Sequence, residues 1–345
     1  MPNIANSSPL LSDRFLTRGR EFLGCQYPII CGAMTWVSEP KLVAAVCNAG
    51  GFGCLAGGNT PVEILEKQIE ETRKLTDKPF AINLITIAPA YKAQLEMLGR
   101  VKPSYIIFAG SFPKSNEVEK AKATGAKVLC FASTLSIAER MHRYGADGLI
   151  IEGSEAGGHI GHVSLAVLLQ QVLFKVTDIP VFVAGGIATG RMAAHLLLMG
   201  AAGVQMGTRF AVATESCAHS KFKDFFLRAE ARDAISTPQI DSRLPVVAVR
   251  ALRNKGMDSF RKLQFDLITK LEAGQIHREE AQIKVEEYWM GALRRAVVDG
   301  DVDGGSMMAG QSVGLVDRIQ PVAEIINEMV AEIEQELQSV KKNLL

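Results

Sequence analysis

The stretch PVFVAGGIATGRMAAHLLLMGAAGVQMGTR, residues 180–209, places a helix-like segment between two short apolar runs. The runs Pro180–Ala184 and Gly203–Gly207 are largely continuous rather than alternating in hydrophobicity, which is typical of parallel strands covered by helices. Between them, Thr189–Met199 has the pattern of a helix that ends at Gly200. The stretch therefore predicts a strand–helix–strand unit with parallel strands.

The same alternation fills the first two-thirds of the chain. Helix-like segments such as Pro61–Leu75, Thr134–Tyr144 and Val163–Val176 separate apolar runs that are bounded by Gly, Pro or polar turn residues. Eight such repeats close naturally into a barrel, so we predict an α/β fold of the (β/α)8 TIM-barrel type. An open doubly wound sheet is the weaker alternative, because no GxGxxG motif follows the first strand. The predicted strands are Pro28–Ala33, Gly51–Leu55, Pro79–Ile85, Ser104–Ala109, Lys127–Ala132, Asp147–Glu152, Pro180–Ala184 and Gly203–Gly207.

The pattern changes after Phe210. Residues 215–299 contain polar helix-like segments and one short β-like run, Pro245–Val249, and we interpret them as a smaller, mostly helical insertion over the barrel mouth. Residues 1–214 and 300–345 are then the barrel, and the charged segment Gln320–Val340 is a helix packed on its outside.

Composition excludes several classes of protein. The chain has 345 residues with 38 basic and 37 acidic side chains, so neither a nucleic-acid binder nor a protein of anionic membranes is indicated. No apolar run has the ~18–20 residues of a membrane span, and the N-terminus lacks a signal-peptide core, so we expect a cytoplasmic protein. The six cysteines form no CxxC pair and are expected to be mostly buried thiols, with a catalytic cysteine as the less favoured alternative.

Two glycine-rich turns follow the last two predicted strands. In a (β/α)8 barrel the loops after strands seven and eight form the usual phosphate site, and glycine lets backbone N–H groups approach an anion closely. Gly185, Gly186, Gly207 and Thr208 occupy these positions. One such pair alone would favour a mere tight turn, but two loops at the correct strands favour phosphate binding.

His159 is the best candidate for acid–base chemistry. It follows two glycines after the sixth strand, at the active end of the barrel, and the ordinary histidine pKa near ~6.5 suits proton exchange at neutral pH. A structural role is the alternative, and His162 lies close enough to be confused with it. The neighbouring Glu155 is expected to be solvated, and the other four histidines to be non-catalytic.

Four stretches resemble the nitronate monooxygenase / 2-nitropropane dioxygenase superfamily, namely YPIICGAMTWV at 27–37, EGSEAGGHIG at 152–161, and the two glycine turns at 184–188 and 204–210. Within it the chain most resembles the flavin-dependent enoyl-acyl-carrier-protein reductases of the FabK type, through GGNTP at 57–61, EAGGHIG at 155–161 and, most specifically, GDVDGGSMMAGQ at 300–311. The similarity extends from about Phe22 to Met329. The resemblance implies bound FMN, NADH or NADPH as the reductant of the flavin, a flexible lid and a homodimer. Some members of the family also bind a monovalent cation near the cofactor, but the sequence does not identify ligands for one here. It further implies hydride delivery to the β-carbon of a trans-2-enoyl thioester on acyl carrier protein, with His159 as the proton donor or carbonyl-polarising group.

The same resemblance assigns cofactor-contact positions in this chain. They are Gly32, Ala33, Met34, Asn83, Glu152, Gly158, Gly185, Gly186, Gln205, Gly207 and Thr208, with Ser306, Met308, Ala309, Gly310 and Gln311 on a loop near the flavin. For Asn83 and Gln205, a buried amide needs partners, which a flavin edge or a structural bond could supply. Ala33 stands where glycine is usual, and the loops 86–90 and 108–112 also depart from the pattern, so the acyl preference stays open.

Two other functions remain open from the sequence. A nitronate monooxygenase would use the same barrel, flavin and histidine, with O2 rather than an enoyl substrate reoxidising the flavin. A non-catalytic barrel that binds a phosphorylated metabolite is the third possibility, and it predicts a colourless protein.

Overall fold

The computed structural model describes residues 10–58, 60–237, 239–244 and 246–344, so Asn59 and Pro245 of the motifs above lie outside the described residues. Eight parallel strands form a closed barrel in the order β1-β2-β3-β4-β5-β6-β8-β9. Closure is made by β9 against β1, where Gln205 pairs with Ile30. The eight predicted strands are therefore confirmed, and the open sheet is excluded. The barrel strands are β1 Ile29–Cys31, β2 Phe52–Ala56, β3 Ala81–Ile85, β4 Tyr105–Ala109, β5 Lys127–Ala132, β6 Gly148–Glu152, β8 Val181–Ala184 and β9 Gly203–Met206.

Helices cover the outside of the barrel, as a parallel sheet buried on both faces requires. Two of them begin as the sequence suggests, since the hydroxyls of Thr134 and Thr189 accept the first-turn N–H groups of α6 and α8. The described helices are α1 Asp13–Leu23, α2 Pro40–Asn48, α3 Val62–Leu75, α4 Tyr91–Val101, α5 Ser115–Ala123, α6 Leu135–Arg143, α7 Leu165–Val172, α8 Gly190–Leu198, α9 Thr208–Ala211, α10 Ser220–Leu227, α11 Lys255–Glu272, α12 Arg278–Val297 and α13 Val322–Leu344, with two 3-10 turns at Ala231–Asp233 and Gln311–Leu315.

Two hydrophobic layers hold the barrel together. Inside it, Phe52, Ile150 and Phe182 pack with Leu23 from the end of α1, which closes the bottom. A larger cluster lies between strands and helices. Strands such as β2 are buried at every position, which explains their continuous apolar sequence. The top of the barrel, at the carboxyl ends of the strands, is left for the site.

The insertion carries its own small core over this top. Leu244, Phe260, Val285 and Trp289 are among its buried members. It contains α11 and α12 and a three-stranded antiparallel sheet of β10 Ala234–Ser236, β11 Ala248–Leu252 and β7 Gly158–Ile160. The observed strand β11 begins at Ala248 and ends at Leu252, so it lies later in the chain than the predicted run Pro245–Val249. We call the described residues between 234 and 297 the lid; they include β10, β11, α11 and α12. The sequence missed β7, by which the loop after β6 joins the lid sheet.

The C-terminal helix α13 docks on α8, as expected for a helix on the outside. A Cβ at Gly190 would lie 2.1 Å from the carbonyl oxygen of Met329, so only glycine permits this crossing. Glu332 accepts the N–H of Gly190 at 2.6 Å. The N–H of Gly190, at the amino end of α8, is thus hydrogen-bonded within the protein and does not face a ligand at the barrel mouth. Within the described ranges, no helix is both long and apolar enough to cross a membrane.

Candidate active site

A cavity of about 490 Å³ lies at the carboxyl ends of the barrel strands, beneath the lid. Most of the residues predicted to contact a cofactor line it. These are Gly32, Ala33, Met34, Asn83, Glu152, Gly158, Gly185, Gly186, Gln205, Gly207, Thr208, Met308 and Gly310, together with Ala309 and the predicted acid–base residue His159. Ser306 and Gln311 do not line it. One cavity therefore collects residues from all parts of the barrel sequence.

One corner of the cavity is built for an anion. Gly185 and Gly186 have φ angles of 94° and 72°, which favour glycine. A Cβ on Gly185 would also lie 2.9 Å from the carbonyl oxygen of Gly153. The backbone N–H groups of Gly185, Gly186 and Gly207 donate to no acceptor among the described residues. Since unpaired N–H groups are rare in folded proteins, this corner fits a phosphate group.

The C-terminal glycine-rich loop is tied to that corner. The Thr208 hydroxyl accepts the N–H of Gly310 at 3.0 Å. The N–H of Gln311 donates to the carbonyl oxygen of Glu155 at 2.9 Å. Gln311 therefore holds the loop beside the cavity through its backbone rather than lining the cavity with its side chain. Glu155 is not solvated as expected, because its carboxylate accepts the N–H of Leu165 and caps α7. The buried Ser306 hydroxyl lies behind the loop and has no partner among the residues the structure describes.

The turn after β1 forms the floor of the cavity. Ser38 holds it by donating to the carbonyl oxygen of Gly32 at 2.9 Å and accepting the N–H of Met34 at 3.0 Å. The side-chain amide of Gln205 lies against Gly32, where a Cβ would be 3.0 Å from its nitrogen. The glycine thus makes room for Gln205. No residue in the described ranges hydrogen-bonds the Gln205 amide, so its polar atoms are left for a ligand.

Of the two alternatives for the Asn83 amide, a flavin edge or a structural bond, the structure shows a structural bond for its nitrogen. Its side-chain nitrogen donates to the carbonyl oxygen of Ile107 on β4 at 3.1 Å, and the residue is buried. The amide is therefore fixed by the neighbouring strand. Its side-chain oxygen has no partner within the described parts of the chain, and Asn83 lines the cavity.

Glu152 places a carboxyl group at the end of β6, on the cavity wall. No described residue donates a hydrogen bond to this carboxyl group. Burial, without a compensating positive charge, raises its pKa from 4.5 to about 8. The group therefore carries its proton at neutral pH and can donate a hydrogen bond to a ligand.

His159 projects into the cavity from β7. Its Nε2 lies 3.3 Å from Oε2 of Glu286, a residue of α12 in the lid. His162 is exposed at the cavity rim. The sequence did not identify Glu286, since one carboxylate on an amphipathic helix usually marks a solvated face. The lid also supplies apolar side chains to the cavity, namely Val246, Val247, Trp289, Met290 and Leu293.

The remaining histidines and the cysteines lie elsewhere. His142 and His195 pair with Asp178 and Glu336 on the outside of the barrel. Cys31, Cys47, Cys54 and Cys130 are buried, as expected, while Cys25 is half-buried and Cys217 exposed; all six are free. Burial raises the pKa of the Cys54 thiol, the one thiol on the cavity lining among the described residues, so it stays protonated. The structure shows no cluster of three or more His, Cys, Asp or Glu that could hold a metal within the residues it describes.

A barrel with a glycine-built anion corner, a lid and a cavity histidine can be compared with known proteins. The family model described as nitronate monooxygenase matches residues 17–94 and 85–332. The chain belongs to this family.

Two curated relatives cover nearly the whole chain. A (3aS,4S,5R,7aS)-5-hydroxy-7a-methyl-1-oxo-octahydro-1H-indene-4-carboxyl-CoA dehydrogenase of Rhodococcus jostii (strain RHA1) is 33% identical over 335 residues, which cover 90% of this chain and 94% of the relative. A nitronate monooxygenase of Paraburkholderia phytofirmans is 28% identical and covers 93% of this chain and 96% of its own length.

Among solved structures, FabK from Thermotoga maritima is 34% identical, with a TM-score of 0.83 over 98% of this chain and all of that chain. The resemblance found in the sequence is thereby confirmed. The chain is an oxidoreductase of the nitronate monooxygenase family.

Proposed function

We propose that this protein is an FMN-dependent oxidoreductase that reduces the double bond of a trans-2-enoyl thioester on acyl carrier protein, with NADH or NADPH as the electron source. Its similarity to FabK over the full chain supports this reaction. The Rhodococcus relative, whose name describes a CoA thioester substrate, supports the thioester class from a second direction.

The charge of the cavity is the observation that carries the proposal. Its described lining contains two glutamates, Glu152 and Glu286, and two histidines, but no lysine or arginine. An alkyl nitronate is an anion, and in a site of low dielectric an anion needs a nearby positive charge. An enoyl thioester is neutral. A protonated His159 would be offset by Glu286 at 3.3 Å, so this pair offers an anion no net positive charge, and the cavity favours the thioester.

The residues of the site fit FMN. The free N–H groups of Gly185, Gly186 and Gly207 would hold its phosphate at the start of α9, since backbone donors at such turns bind phosphate without a cation. Gln205, Asn83 and the protonated Glu152 would meet its polar edges. When bound, FMN supplies the hydride chemistry, and the protein supplies orientation and electrostatics.

The chain's own residues provide the rest of the reaction. His159 stands in the cavity and would hold the proton destined for the α-carbon, or polarise the thioester carbonyl. Trp289, Met290 and Leu293 of the lid form an apolar wall that would receive the acyl group and exclude water.

Nitronate oxidation is the second candidate function. The family model and the Paraburkholderia relative favour it. It uses the same cofactor and histidine, so the geometry of His159 does not separate the two reactions. They differ in what reduces the flavin.

Anaerobic stopped-flow mixing tests the proposal. The purified yellow protein is mixed with NADH or NADPH, and the reduced protein is then mixed with crotonyl thioesters of acyl carrier protein and of CoA. We expect rapid bleaching of the flavin by a nicotinamide and rapid reoxidation by a crotonyl thioester. Bleaching by an alkyl nitronate, with no response to either nicotinamide, would establish the nitronate reaction instead. A colourless protein that takes up no FMN would contradict both.

A further inference from the structure

A carboxylate from the lid meets the ring of the cavity histidine. Oε2 of Glu286 lies 3.3 Å from Nε2 of His159, within ion-pair distance. Both side chains line the cavity and are mostly shielded from solvent, with exposures of 18% and 22%. An imidazole with a carboxylate at one nitrogen is held in one orientation, which is how acid–base histidines are commonly positioned.

The Nε2 atom of the His159 ring is turned towards the lid. It is buried, and it has no well-aligned hydrogen-bond partner among the residues described, Glu286 standing at the right distance but not in line. The exposed part of the side chain therefore lies away from Nε2. Nε2 is left to the lid carboxylate, and the exposed part of the ring is left to a substrate in the cavity.

No other charged group takes the place of Glu286. Glu152 and His162 line the same cavity but make no ion pair with His159 within the described residues. Arg250, next to the strand partner of His159, donates to the carbonyl oxygens of Ser154 and Ala234. The Glu155 carboxylate is occupied by the N–H of Leu165. Glu286 is thus the one described residue within ion-pair distance of the ring.

The histidine and the carboxylate are both held by the lid. His159 pairs with Val249 in the lid sheet, and Glu286 stands on the lid helix α12. The packing of the lid therefore sets their mutual geometry.

We propose that Glu286 is a positioning residue that holds the His159 ring in one orientation, with Nε2 towards the lid and the exposed part of the ring towards the substrate. The inference rests on the proposed function, because an enoyl thioester needs a proton at its α-carbon. In that step the electron pair of the thioester enolate forms the new C–H bond, an N–H bond of the protonated His159 ring breaks, and the ring then takes up a proton from water.

Histidine NMR tests this independently of turnover. The purified flavoprotein is labelled with ¹⁵N-histidine, and the His159 signals are assigned with His159→Gln. In Glu286→Gln we expect the ring ¹⁵N signals of His159 to shift and broaden, because the ring loses the carboxylate that holds it in one orientation. Glu287→Gln, an exposed neighbour on the same helix, is the matched control and should leave these signals unchanged.

Turnover then separates positioning from substrate binding. Glu286→Gln should lower kcat for a crotonyl thioester about tenfold, with little change in KM. Glu286→Asp keeps the charge on a shorter side chain, and its kcat should lie between those of the wild type and Glu286→Gln. This variant also provides the test if Glu286→Gln does not fold.

The outcomes separate the two proposals. Unchanged His159 ring signals in a folded Glu286→Gln protein overturn the role of Glu286. If the signals change as expected but the wild-type protein does not reduce crotonyl thioester, the proposed function fails while the histidine–glutamate pair stands.

Discussion

The hydroxyl of Thr208 accepts a hydrogen bond from the backbone N–H of Gly310 at 3.0 Å. This contact joins the end of the last barrel strand to a loop that follows the whole insertion. The anion corner is therefore assembled from two segments that are remote in sequence, and Thr208 serves both: its hydroxyl fixes the loop, and its backbone starts α9.

Replacing Thr208 tests this connection. Thr208→Val keeps the shape but leaves the N–H of Gly310 without its acceptor, which costs about 1–3 kcal/mol when the group is buried. We expect a lower Tm and weaker FMN retention, measured by thermal unfolding and by the flavin absorbance after dialysis. Thr208→Ser keeps the hydroxyl and should behave like the wild type. Equal flavin loss in both variants would contradict the role of the hydrogen bond.

Gly186 tests the phosphate corner by charge. Its φ of 72° strains any other residue, although a Cβ would meet nothing closer than 3.4 Å, at Cβ of Glu155. Gly186→Ala therefore reports the backbone strain, roughly 1 kcal/mol. Gly186→Asp adds a carboxylate where the phosphate would lie, and we expect it to expel FMN. The measurement is the ratio of flavin to protein after purification, and equal ratios in the two variants would refute a phosphate at this corner.

Glu152 gives the protein a specific pH dependence. The folded protein holds this proton up to about pH 8, whereas the unfolded chain releases it near 4.5. Between these values the folded state binds more protons, so the contribution of Glu152 to the free energy of unfolding decreases as the pH rises from about 4.5 to about 8 and is constant above that.

Glu152→Gln removes this dependence. We expect the Tm of the FMN-free variant to exceed that of the FMN-free wild type by about 2 °C or more at pH 8.5, and by much less at pH 5, since a few kcal/mol move Tm by several degrees at this size. The exposed Glu287→Gln should show no such pH-dependent gain. A gain for Glu152→Gln that is the same at both pH values would rule out titration of Glu152 as its cause.

His159→Ala tests the acid–base role. Loss of a positioned general acid typically lowers turnover by ~10²–10⁴-fold. We expect a loss in this range for reoxidation of the reduced protein by crotonyl thioester, with flavin content and reduction by nicotinamide retained. His277→Ala, at the exposed start of α12, is the control. Unchanged turnover in His159→Ala would remove the residue from the reaction.

Parts of the site could be predicted because they depend on local sequence. Gly185, Gly186 and Gly207 follow strands that are recognisable as apolar runs, and barrel geometry brings the ends of such strands to one face. The partners of these residues could not be predicted. Glu155 looks like a solvent-facing residue until α7 is placed beside it, and β7 is only three residues long, too short to be recognised from its sequence.

The sequence by itself determined the eight strands, four of their covering helices and the positions of the glycine turns, because each is encoded within a few neighbouring residues. Only the tertiary structure decided that Gly310 meets Thr208, that His159 belongs to the lid sheet, and that Glu286 faces it. These contacts join residues far apart in the chain, and their formation depends on how the lid packs over the barrel rather than on any local pattern of hydrophobicity or charge.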